Sequence, residues 1–102
     1  MMENEKLEVF EDYVDHEMVK AFGAEGFHKI RKVLGKVPNG LCGVECYYST
    51  YPRLLAAKGV TLKRNYIDET GFGPPKEDGQ AAATPAQRQV ITQALRDAGF
   101  EL

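Results

Sequence analysis

The sequence predicts a small single domain of the α+β class, mostly helical, with about five helices and one short strand pair. Its 102 residues are enough for one hydrophobic core. Apolar residues recur at steps of three and four over most of the chain, the spacing of a helix face, and they alternate only between residues 60 and 67. Glycine and proline are frequent in residues 71–83. We therefore expect one compact domain over residues 1–102, with an exposed loop at 71–83.

Two helices are predicted in the N-terminal part, near residues 5–22 and 27–37. Each has an apolar stripe at helical spacing. The stripes are Leu7, Phe10, Val14, Met18 and Ala21 in the first helix, and Phe27, Ile30, Val33, Leu34 and Val37 in the second. Gly23 and Gly26 indicate a short break between the two helices.

The middle of the chain predicts two short helices, near residues 41–48 and 52–58. The apolar spacing stays helical across both, but Pro52 lacks an N–H group and crowds the preceding turn. Ser49 and Thr50 are residue types that cap helix N-termini. We therefore expect a bend before Pro52.

Alternation of apolar and polar residues predicts a strand at residues 60–67. A single strand needs a mate, because its backbone hydrogen bonds are otherwise unsatisfied. Residues 100–102 are the candidate within the chain. A second copy of the chain is the alternative, which would make the protein a homodimer.

A final helix is predicted near residues 85–98 and has the clearest start signal in the sequence. Thr84 is a capping residue, Pro85 suits the first helical position, and Gln87 lies three residues after the cap. This arrangement predicts a capping box.

Composition limits the classes of protein that the chain can belong to. The net charge is −2, and no apolar run is long enough to cross a membrane. The first residues are acidic, where a secretory signal needs a basic start and an apolar block. Two cysteines are too few to hold together a small secreted domain. We therefore expect a cytoplasmic protein without membrane contact.

No motif for catalysis or for cofactor binding is present. Cys42 and Cys46 lie one helical turn apart, and a zinc site would need two further ligands. We predict that both are buried thiols. Ser49 is the only serine and has no glycine elbow, and residues 71–75 end in prolines that remove phosphate-binding N–H groups. The sequence therefore favours a protein that is not an enzyme and needs neither metal nor cofactor.

An acidic helix face is the first candidate for a binding surface. Residues 3–17 contain seven acids and one base, and four of the acids gather on one side of the first helix: Glu5, Glu8, Asp12 and Asp15. Acids repeated every turn, about 5.4 Å apart, can imitate a line of phosphates. This predicts a stoichiometric inhibitor that binds a protein with a basic surface, as small phage or mobile-element inhibitors of nucleic-acid machines do.

A basic middle segment, residues 18–64, is the alternative surface. It has nine bases against two acids. Tyrosines beside bases can stack on nucleobases and hold phosphates, and two short helices before a strand suggest a winged-helix-like regulator that binds nucleic acid. The candidate contacts are Tyr47, Arg53, Lys63 and Arg64. In the competing interpretation the acidic residues 3–17 fold onto this segment and neutralise its charge. Tyr48 and Tyr51 then belong to the core, and only Tyr47 is exposed.

Overall fold

The computed structural model describes the backbone of residues 3–37, 46–64 and 84–102, and the side chains of these residues except 3–9 and 48. The first helix, α1, spans Glu3–Gly35. A π-helical turn, Cys46–Thr50, leads directly into α2, Tyr51–Ala57. The last helix, α3, spans Pro85–Asp97. The predicted α+β class is therefore wrong: the described ranges form three helices, not five, and contain no strand.

The kink in α1 lies at a single residue, Gly23, where φ is 77° and ψ is 164°. Each helical residue turns by about 100°, so in an unbroken helix Phe27 would lie about 180° away from Met18, nine residues earlier. Both side chains are nevertheless buried in the same core. The kink thus brings the two apolar stripes onto one side, and the predicted break between two helices is one residue long.

One hydrophobic core joins all the helices. The buried residues of α1 match the two predicted stripes, and those of α2 and α3 face them. Fully or almost fully buried are Phe10, Val14, Met18, Phe27, Ile30, Leu34, Val37, Cys46, Tyr47, Tyr51, Leu54, Leu55, Ile91 and Leu95. The core therefore contains side chains from every helix that the structure describes.

The helix from Cys46 to Ala57 is continuous, whereas the sequence predicted separate helices at 41–48 and 52–58. Pro52 lies in the first turn of α2, directly after the wider π-helical turn. The wider turn fits a proline that cannot donate a hydrogen bond to the preceding turn. Thr50 has helical backbone angles and no capping hydrogen bond, so its predicted capping role is wrong. Residues 41–45 lie outside the described part.

Helices α2 and α3 end in the same way, over residues 55–60 and 95–100. In both, a glycine with positive φ follows the cap residue: Gly59 at 79° and Gly99 at 97°. The N–H group of the next residue donates to the carbonyl five positions earlier, at 2.9 Å in α2 and 3.0 Å in α3. This is the Schellman motif, which satisfies carbonyls left without partners at a helix end.

The predicted strand pair, residues 60–67 with 100–102, is wrong for the described residues. The first N–H group of each segment is already used by the Schellman motif. The backbone N–H of Lys63 donates to the hydroxyl of Tyr13, at 3.0 Å. The alternation that predicted a strand instead follows burial: Val60 and Leu62 pack against the core, and Thr61 and Lys63 are exposed. Residues 65–67 lie outside the described ranges.

The start of α3 confirms the predicted capping box. The Thr84 hydroxyl accepts a hydrogen bond from the backbone of Gln87 at 3.2 Å, and the Gln87 side chain accepts one from the backbone of Thr84 at 2.8 Å. Pro85 is the first helical residue. Two N–H groups at the helix start are therefore satisfied locally.

No helix within the described ranges is both long and apolar enough to cross a membrane. The cytoplasmic location expected from the sequence stays a prediction, as does the single domain over residues 1–102. The predicted loop at 71–83 lies outside the ranges that the structure describes.

Candidate functional site

A polar groove between α2 and α3 is lined by three arginines. Its volume is about 410 Å³. One lining residue, Arg53, comes from α2, and the others come from α3. The lining residues are Arg53, Arg88, Gln89, Thr92, Gln93 and Arg96. Three arginines from two helices therefore line one groove, called the arginine groove below.

Local contacts hold Arg53 and Arg96 in place. Arg53 donates a hydrogen bond through Nη2 to the hydroxyl of Thr92, at 3.0 Å, which links α2 to α3 across the groove. Arg96 donates through Nη2 to the carbonyl of Leu102, at 3.4 Å. A guanidinium has five N–H donors, so one such bond leaves others for a ligand.

All the charged side chains among the described lining residues of the groove are arginines. None of the described residues that line it is acidic. The nearby carboxylate of Asp97 accepts a hydrogen bond from the Gln93 side chain at 2.8 Å. Arginine forms paired hydrogen bonds with phosphates and carboxylates, so three arginines with amide and hydroxyl neighbours suit an anion.

The structure keeps only part of the predicted acidic face available. Glu5 and Glu8 lie in α1, at positions whose side chains are outside the described set. Asp12 is exposed. Asp15 is half-buried, and its carboxylate accepts a hydrogen bond from the Tyr47 hydroxyl at 2.7 Å. One of the four predicted acids is thus engaged inside the protein.

Tyr47 is buried, with 8% of its surface exposed, so the expectation that it stays exposed is wrong. Its ring packs edge to face on Tyr51, with centroids 5.1 Å apart. Burial, and then the hydrogen bond to Asp15, raise the pKa of the Tyr47 phenol well above its usual range, with smaller contributions from Tyr51 and Glu11. Two residues predicted to bind a partner therefore bind each other.

Alkaline pH should destabilise the protein through Tyr47. Above about pH 10 the phenol ionises in the unfolded chain but not in the folded one, because only its folded pKa is raised. Stability is therefore retained below pH 10 and falls as pH rises beyond it, by at most about 1.4 kcal/mol per pH unit. Tyr47→Phe should lack this component. Urea unfolding from pH 8 to 11 measures it, and parallel curves for the two proteins would contradict it.

The other predicted basic contacts divide between two helices. Arg53 faces α3, as described above. Lys63 and Arg64 lie against α1, where the Arg64 guanidinium is 4.7 Å from the centre of the Tyr13 ring. The acidic part of α1 and the basic middle segment therefore contact each other through tyrosines. The neutralisation of charge that the competing interpretation expected stays a prediction.

Arg88 and Arg96 were missed by sequence reasoning. They lie in residues 65–102, which contain six acids and only three bases and therefore give no basic signal. A signal was present in the spacing: Arg88, Thr92 and Arg96 follow at steps of four, which places them on one face of a helix. Their convergence with Arg53, however, depends on tertiary packing.

Cys46 is buried with 1% of its surface exposed, which confirms the predicted buried thiol at this position. Cys42 lies outside the described ranges. Within those ranges, no three His, Cys, Asp or Glu side chains lie close enough together to hold a metal ion.

No known protein family, curated protein or solved structure matches this chain.

Proposed function

We propose that this protein is a non-enzymatic binding protein that holds the phosphate backbone of a nucleic acid in the groove between α2 and α3. The observation that supports this is the convergence of Arg53, Arg88 and Arg96 on one groove. The protein as a whole has a net charge of −2, so its attraction for a polyanion must be local.

The arrangement suits a phosphate chain better than a single small anion. On α3, Arg88 and Arg96 are eight residues apart, which is about 12 Å along a helix. Successive phosphates of one duplex strand advance by about 3.4 Å along the helix axis, so two guanidiniums this far apart can contact different phosphates of one strand. The amide side chains of Gln89 and Gln93 add neutral donors beside them.

Removing two of the charges should weaken this binding. The variant Arg88→Gln/Arg96→Gln should bind a labelled oligonucleotide of about 20 nucleotides at least about tenfold more weakly. The slope of its log affinity against log salt concentration should also be smaller by about two, because two phosphate contacts are lost. Fluorescence anisotropy at several salt concentrations measures both quantities. The matched control is Lys32→Gln/Lys36→Gln, which removes two charges at exposed positions near the end of α1.

Two outcomes would contradict the proposal. Wild-type protein that binds neither single-stranded nor duplex oligonucleotide would exclude it. Equal losses of affinity in the arginine variant and in the lysine control would show a general charge effect instead of a site.

The acidic face of α1 supports a second candidate, a stoichiometric inhibitor that binds a basic protein surface. Asp12 is exposed, and Val19, two turns further along the helix, exposes 41% of its surface. Binding of a deca-arginine peptide that is lost in Glu8→Lys/Asp12→Lys and kept in Glu25→Lys/Asp97→Lys would support this function. Asp15 is left unchanged in this test because it accepts the Tyr47 hydrogen bond.

A further inference from the structure

A second cavity lies where the C-terminal ends of α2 and α3 meet α1. Its volume is also about 410 Å³. On α2, Ala57 in this cavity lies one turn after Arg53, and Phe100 follows Arg96 by four residues beyond α3. Residues four apart on a helix are neighbours on one face. The two cavities therefore adjoin along α2, and the second cavity is completed by α1 and by the residues that follow α3.

Two aromatic rings and one lysine line this second cavity, and a second lysine lies over one of the rings. Phe22 and Phe100 are half-buried and meet edge to face, with centroids 6.0 Å apart. The ammonium of Lys58 lies 5.2 Å from the centre of the Phe22 ring, and that of Lys29 lies 5.7 Å from the centre of the Phe100 ring. Each ring therefore has one face covered by the end of a flexible, exposed side chain.

From these two neighbouring cavities we infer that the ligand is a single-stranded nucleic acid. Its phosphates bind the three arginines and its bases stack on Phe22 and Phe100. This inference rests on the proposed function. Bases of a single strand expose their faces, whereas those of a duplex are stacked on each other. A duplex can therefore bind the arginine groove but cannot stack its bases in the second cavity, called the aromatic cavity below.

Replacing the lysine ammonium group on the face of each phenylalanine ring by a stacked nucleobase is favourable. A cation on the face of an aromatic ring at an exposed site contributes a factor of about two to five to an equilibrium. A base stacked on an aromatic side chain contributes about fivefold or more. The displaced ammonium groups of Lys29 and Lys58 remain charged and can pair with the phosphate next to the base.

The single acid among the described lining residues, Glu101, helps to orient the strand. Its carboxylate repels phosphate, so the aromatic cavity favours a base and the arginine groove favours the backbone.

The first experiment uses wild-type protein and three probes of equal length: labelled oligothymidylate, the same strand without bases, and a duplex. We expect oligothymidylate to bind at least tenfold more tightly than the abasic strand and the duplex. Equal affinity for the abasic strand would overturn the inference and leave the proposed phosphate groove intact. If no probe binds, the proposed function fails as well.

The second experiment uses the variant Phe22→Leu/Phe100→Leu, which keeps apolar side chains against the core and removes the rings. Its affinity for oligothymidylate should fall about tenfold, and its affinity for the duplex should stay within twofold. The same loss for both probes, or for neither, would overturn the inference. The variant Lys29→Gln/Lys58→Gln changes only exposed side chains. It should lower the affinity for oligothymidylate several-fold. This variant provides a test if the leucine variant fails to fold.

Discussion

Replacing Tyr47 with alanine should lower the free energy of unfolding by about 3–5 kcal/mol, the usual cost of removing a buried aromatic side chain. The ring is 8% exposed and packs edge to face on Tyr51, which itself meets Phe27 with centroids 5.5 Å apart. The loss would open a cavity between α1 and α2, and it would remove the hydrogen bond to Asp15. Chemical denaturation monitored by circular dichroism measures the change.

Tyr47→Phe separates the hydroxyl from the ring. It keeps the aromatic packing and removes only the hydrogen bond to a carboxylate, which contributes about 1.5–3 kcal/mol. Asp15→Asn combined with Tyr47→Phe completes a double-mutant cycle for the contact. A loss below about 1 kcal/mol in Tyr47→Ala would contradict the buried position and would return Tyr47 to the exposed role that the sequence suggested.

The contact between Tyr47 and Asp15 also affects how binding data are interpreted. Loss of oligonucleotide binding after substitution at either position would reflect a change in folding, because neither residue lies in the arginine groove. Charge reversal at Asp12, which is exposed, tests the acidic face without this effect.

The sequence predicted those helices whose signals are local. The periodic stripe with Phe10, Val14 and Met18 is buried, and the capping box at Thr84 and Gln87 starts α3. Both signals depend on residues three or four positions apart. Periodicity and capping act within single turns of a helix, so they can be recognised without knowledge of tertiary contacts.

The predicted strand failed because period-two alternation is not specific to a sheet. Residues 60–64 follow a Schellman motif and lie on the surface of the core without pairing as a strand, and they alternate between half-buried and exposed positions. The sequence did contain a contrary signal. Residues 55–60 and 95–100 share a leucine, a glycine four positions later and an apolar residue after it, which is the pattern of a helix end.

The arginine groove could not be predicted from charge counts along the chain. Arg53 and Thr92 are 39 positions apart, and the contact between them places α2 against α3. The count over residues 65–102 is acidic, yet Arg88 and Arg96 share one side of α3. Surface charge depends on which faces remain exposed after packing, and that information is tertiary.

Gly23→Ala should be the most damaging substitution of a glycine in α1, with a loss of about 1–3 kcal/mol in the free energy of unfolding. The backbone of Gly23, at φ 77° and ψ 164°, lies in a region that is essentially restricted to glycine. An added Cβ would meet no heavy atom within 4 Å. The expected cost therefore comes from backbone strain and not from a clash with neighbours.

Gly35→Ala is the matched control. Gly35 is also exposed in α1, its added Cβ would likewise meet nothing within 4 Å, and it is not among the described glycines with positive φ. Alanine at a helical position is better than glycine by up to about 1 kcal/mol, so this variant should keep or slightly gain stability. Urea unfolding of both variants beside the wild type measures the difference.

The kink cannot be relaxed without loss of core contacts. If alanine restored a straight helix at position 23, Phe27 and Ile30 would turn away from the side on which Met18 is buried. Gly23→Ala must therefore either strain its backbone or expose one of the two apolar stripes, and both routes lower stability. Equal stability of Gly23→Ala and Gly35→Ala would show that α1 tolerates alanine at position 23. The claim that the kink at Gly23 brings the two apolar stripes onto one side would then be wrong.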